Sequence, residues 1–108
     1  MYVTSIRYPE NNRGRRNPDM KLIQLIEDIA RIETELMRFE KKFGVRSPEF
    51  YRAITSGELE EFDTLDDYRM EFIEWLSLHK TLMSLDQSYR QLITRQPVAI
   101  QMKSVLAA

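Results

Sequence analysis

Leu22, Leu25, Ile29, Ile32, Leu36, Phe39 and Phe43 follow one another at alternating steps of three and four. That spacing is the a/d seam of a helix that packs lengthwise against another helix. No Gly or Pro interrupts Met20 to Phe43, and most of the remaining positions hold good helix formers. Ile23, Ile26, Ala30 and Met37 run beside the seam and widen it beyond a two-stranded stripe, toward the face of a bundle. A second seam of similar length, Tyr68, Phe72, Trp75, Leu78, Leu82, Leu85, Tyr89 and Leu92, is flanked by Ile73, Leu76 and Ile93.

The punctuation between the seams is equally regular. Gly44 supplies a left-handed stop after Lys41, Lys42 and Phe43, with both lysines favourable at the negative end of the helix dipole. Ser47 is placed to cap a short helix with Pro48 in its first turn, Phe50, Tyr51 and Ile54 inward, and Gly57 as its stop. Glu58 to Phe62 reads as an acidic linker with room for one more helical turn, in which Leu59 and Phe62 tuck under the domain. Asp63 or Thr64 opens the last long helix, Asp66 and Asp67 sit in its first turn, and Pro97 stops it at about Gln96.

These signals give three spans: helices over about 20–43, 48–56 and 65–96, preceded by a basic tail (1–19) and followed by an apolar tail (97–108). The fold class is all-α, an antiparallel hairpin of two long helices with a short connecting helix. Two helices leave a flank of each stripe uncovered, so the expectation includes dimerisation into a four-helix bundle. The first nineteen residues hold two Pro, one Gly, three Asn and four Arg and read as loosely attached. Helix character begins abruptly at Met20, so the domain either starts there or is led in by Asn17, Pro18 and Asp19. The final segment, PVAIQMKSVLAA, has three readings: a frayed end, a short helix on the body, or a strip awaiting a partner.

Composition narrows the function classes. With 108 residues the chain is one domain, of a size at which oligomerisation commonly supplements the core. Sixteen basic and seventeen acidic residues leave a formal net charge of -1, so no overall field recruits nucleic acid or anionic membrane. The absence of cysteine excludes disulfides and thiolate chemistry and fits a reducing cytosol. No apolar run is long enough to span a bilayer, and no signal-peptide core precedes the first helix. A cytoplasmic protein is the expectation.

Candidate chemistry is sparse. His79 is the only histidine, with no Glu-x-x-His pairing, so a packed structural role outweighs a metal site. The carboxylates from Glu58 to Asp63, and Glu71 and Glu74, read as solvated faces and caps. No nucleophile elbow, phosphate loop or dinucleotide fingerprint is present. The expectation is a non-enzymatic protein with no catalytic residue, cofactor or metal. Arg13, Arg15 and Arg16 form the one basic cluster suited to phosphate contact, although a solvated tail is its commoner meaning.

Phe39 to about Leu85 carries a recognisable text: Lys42-Phe43-Gly44, Ser47-Pro48-Glu49-Phe50-Tyr51, Gly57-Glu58-Leu59, Asp63 to Asp67, and Glu74-Trp75. It resembles a group of small prokaryotic helical proteins that look like the antitoxin halves of toxin–antitoxin pairs. The match covers less than half of the chain, and its basic start and apolar end depart from the pattern. What the resemblance implies is a module that occludes a small toxin encoded beside it. Such a role calls for a broad apolar and acidic surface with aromatic anchors, and Phe50, Tyr51, Leu59, Phe62 and Trp75 are the candidates. The same residues also suit the domain's own core or a dimer seam. The rival readings are a scaffolding homodimer without a toxin, and a nucleic-acid accessory protein using Arg13 to Arg16.

Overall fold

The computed structural model describes residues 18–64 and 66–107, with side chains described over 20–62 and 68–107. Four α-helices follow in order: α1 (Pro18–Phe43), α2 (Ser47–Thr55), α3 (Asp66–Ile93) and α4 (Val98–Ala107), with a 3-10 helix at Glu60–Thr64 between α2 and α3. The protein is all-α, and no strand occurs among the described residues.

The chain forms two compact units. One spans residues 29–84 and contains the C-terminal part of α1, all of α2, the 3-10 turn and most of α3. Its core is Leu36, Phe39, Phe50, Phe72 and Trp75, with Ile32, Phe43, Ile54, Leu59, Phe62, Tyr68, Leu76, Leu78 and Leu82 packed around it. Every member of both expected seams in this span is at least half-buried, because a step of three or four keeps successive side chains on one face. At the solvent margin Arg38 pairs with Glu74 at 3.7 Å and Lys42 with Glu71 at 2.6 Å. The flank expected to widen the stripe stays in solvent at Met37 and Ile73, which are 49 % and 54 % exposed.

The other unit holds 18–28 of α1 together with 85–107. Leu22 and Leu25 are its buried apolar side chains. Asp86 and Arg90 pair along α3 at 2.9 Å, and Gln24 Nε2 donates to Asp28 Oδ1 at 3.0 Å.

Three boundaries depart from the sequence expectation. α2 begins at Ser47 rather than after it: Arg46 holds the cap position in extended backbone, and its carbonyl accepts the Phe50 N–H at 3.0 Å. Ser47 is thereby freed from capping and turns inward. α3 ends at Ile93, three residues before the expected Gln96, since a proline ring collides with the carbonyl four residues earlier, here that of Ile93. A turn over Thr94, Arg95 and Gln96 follows, and the Pro97 carbonyl then accepts the N–H groups of Ile100 and Gln101 as the start of α4. The apolar tail is therefore helical, although none of its residues is buried.

The two glycine stops lie where expected, Gly44 at φ 80° and Gly57 at φ 85°. Gly44 N–H donates to the Glu40 carbonyl at 2.8 Å, and Glu58 N–H reaches back to Ala53 at 3.0 Å, the closures that satisfy a helix's last carbonyls. The expected caps at Asn17 and at the Asp63 and Thr64 side chains, and the Asp66 and Asp67 carboxylates, lie outside the described residues.

Candidate partner-binding site

The site is built around Trp75, whose side chain is wholly buried in the 29–84 unit. Phe50 stacks on it with ring centroids 3.8 Å apart and planes 3° from parallel. Phe39 and Phe43 add stacked contacts at 5.7 and 5.4 Å. Phe72 meets Phe43 and Phe50 edge-on at 5.4 and 5.3 Å, and Phe62 meets Phe72 in the same way at 5.9 Å. Offset and edge-on pairs of this kind gain about 0.5–1.5 kcal/mol each beyond simple burial.

A polar chain crosses the cluster. Trp75 Nε1–H donates to Ser47 Oγ at 2.9 Å, and Ser47 Oγ–H donates to Glu40 Oε2 at 2.7 Å. The same carboxylate oxygen accepts the Ser47 backbone N–H at 2.8 Å. Glu40 on α1 thus performs the capping of α2 that sequence spacing assigns to Ser47. It satisfies an orphan N–H and places negative charge at the positive end of the helix. Ser47 becomes the bridge that lets an indole N–H be buried without loss of its hydrogen bond.

His79 lies one turn beyond Trp75 and is 7 % exposed, its ring 5.3 Å from that of Tyr51. Its Nδ1 is buried without a hydrogen-bond partner. Burial pushes the imidazole pKa below its ordinary value, while the nearby Glu40 carboxylate works in the opposite direction. His79 also lines a cleft of about 270 Å³ with Glu33, Glu40, Arg46 and Ser47 among its other walls. No group of three His, Asp or Glu side chains able to hold a metal occurs among the described residues.

The five candidate anchors separate into two places. Phe50, Leu59, Phe62 and Trp75 line one largely apolar cavity of about 160 Å³, together with Phe43, Val45 and Phe72. Tyr51 faces His79 instead. Trp75 and Phe50, at 0 % and 2 % exposure, form the floor and present no surface of their own to another molecule. Their place as surface anchors is corrected to that of core supports, because the stacked pair is the centre of the domain's own packing. Leu59 and Phe62 are half-buried at the lip, with Glu58, Glu60 and Glu61 exposed in the same short segment. Sequence reading missed Glu40, Phe43, Val45 and Phe72 as parts of the site. Phe43 and Phe72 stand at seam positions, while nothing in the local sequence marks Glu40 as the partner of a serine seven residues on.

Arg13, Arg15 and Arg16 lie outside the described residues. No helix among those described is long and apolar enough to cross a membrane. Comparison with models of known families, with curated proteins and with solved structures finds no match to this chain.

Proposed function

We propose that the protein is a non-enzymatic binding module that neutralises a small partner protein, of antitoxin type, and works in the cytosol. The observation that supports this reading most directly is the cavity at Leu59 and Phe62: an apolar slot with an aromatic floor, opening beside three exposed glutamates. A slot of this volume takes one aliphatic or aromatic side chain, and the acidic segment favours a partner whose anchor is flanked by lysine or arginine. The rigid floor serves the same end, since a pocket already shaped by stacked rings loses little freedom on binding. In this reading α1 and α3 form an antiparallel hairpin with α2 closing one end, and two copies associate as a four-helix bundle.

Co-purification from the native host with identification of the bound species tests the reading. A single small product of a neighbouring gene, in fixed stoichiometry, is the expected result. Leu59→Ala and Phe62→Ala are each expected to weaken that complex at least tenfold while the far-UV circular dichroism stays unchanged. Recovery of the protein alone would instead leave a self-associating helical scaffold.

A further inference from the structure

α4 has the composition of an interior helix and the exposure of a surface one. Its sequence, VAIQMKSVLA, carries one charge, Lys103, and none of its side chains is buried. Val98, Met102 and Leu106 are 60 %, 56 % and 81 % exposed, and Val105 is also exposed. Positions 98, 102, 105 and 106 follow helical spacing, so these four side chains form one stripe along α4. A helix apolar around its whole circumference is normally covered on several sides.

We propose that a second copy of this chain covers it: α4 is the seam of an isologous dimer, its stripe lying antiparallel on the same stripe of the partner molecule. The inference builds on the dimeric reading above and assigns it a contact surface. Three observations select this occupant. The stripe is uncharged, so it meets its own copy without repulsion, and Lys103 sits about 140° around the helix from Val98, at the rim of such a contact. The area is also appropriate. The four side chains present about 400 Å² per copy; Met20 and Ile26, exposed on the α1 segment of the same unit, carry a pair past the roughly 1,000 Å² that marks specific association. Finally, a lipid occupant fits poorly: ten residues reach only about 15 Å, and a helix lying in a membrane surface carries a row of cations on its polar face, where α4 has a single lysine.

The absence of cysteine from the chain makes the test clean. In the full-length protein, sedimentation equilibrium is expected to show a dimer with a micromolar dissociation constant, weakened at least tenfold by Leu106→Asp. Under mild oxidation Met102→Cys, at the middle of the stripe, is expected to give a covalent dimer. Val98→Cys and Leu106→Cys should link to each other when mixed but poorly to themselves. A wild-type monomer at high micromolar concentration would overturn both this seam and the bundle dimer. A dimer indifferent to Leu106→Asp, with no crosslink through Met102→Cys, would overturn the seam and leave the bundle intact. Vesicles of phosphatidylglycerol that bind a monomeric wild type, but not Leu106→Asp, would assign α4 to lipid and overturn the proposal.

Discussion

Ser47 is small, polar and 2 % exposed, and its hydroxyl is the only acceptor that the structure gives to the Trp75 N–H. Ser47→Ala strands that N–H in an aromatic core and removes one of the two bonds to Glu40 Oε2. The expected loss is about 1–3 kcal/mol in urea unfolding, most of it the cost of an unsatisfied buried donor. Trp75→Phe on the Ser47→Ala background should then cost less than Trp75→Phe on wild type, a coupling that a double-mutant cycle measures. His79 gives the residue scale its pH dependence. Burial sets its folded pKa below the ordinary 6.5, so the unfolded chain binds the proton more readily. The stability it contributes is complete above that value and is lost as pH falls through 6.5 toward the folded pKa. The urea midpoint of the wild type should drop over that window more steeply than that of His79→Gln. Parallel pH profiles for the two proteins would refute this account.

The elements owe their ends to backbone chemistry more than to their side-chain stripes. Gly44 and Gly57 both occupy the left-handed region, where a Cβ costs about 1–2 kcal/mol. A Cβ at Gly44 would meet no neighbouring atom, so Gly44→Ala isolates the backbone term and should lose about that amount. At Gly57 the added atom would approach the Glu60 carboxylate at 3.1 Å, but a long exposed side chain moves aside, so Gly57→Ala should differ little from Gly44→Ala. Thermal unfolding of the two variants side by side checks the comparison. The ion pairs between α1 and α3 are a different matter. Lys42 with Glu71 and Arg38 with Glu74 lie at the solvent margin and contribute about 1 kcal/mol or less each, screened by salt.

At the scale of the whole molecule, burial is uneven. The 29–84 unit contains the aromatic core, whereas α4 buries no side chain. Amide exchange should therefore be slow and independent of protein concentration in the core segments of α1 and α3. In α4, if two copies meet there, protection should rise with concentration, because its amides then close only in the dimer. Mass-resolved hydrogen exchange at two protein concentrations reads both, and concentration-independent exchange of α4 would count against the seam.

Much of this architecture follows from the sequence alone. The all-helical class, the two long helices, the short one between them and both glycine stops are local consequences of three-and-four spacing, helix propensity and left-handed backbone, each legible within a few residues. Boundaries were less legible at Ser47 and Pro97, where one residue's cap or one ring's clash shifts an end by one to three positions. What the tertiary structure alone decided is which apolar residues are core and which are lip. Spacing marks Phe50, Tyr51, Leu59, Phe62 and Trp75 equally, and only the packing stacks Phe50 on Trp75, turns Tyr51 to His79 and leaves Leu59 and Phe62 at the opening of a cavity. The Glu40–Ser47–Trp75 chain is of the same kind. It joins α1, α2 and α3 across separations of seven and twenty-eight residues, distances over which a periodic pattern carries no information about which side chains will meet.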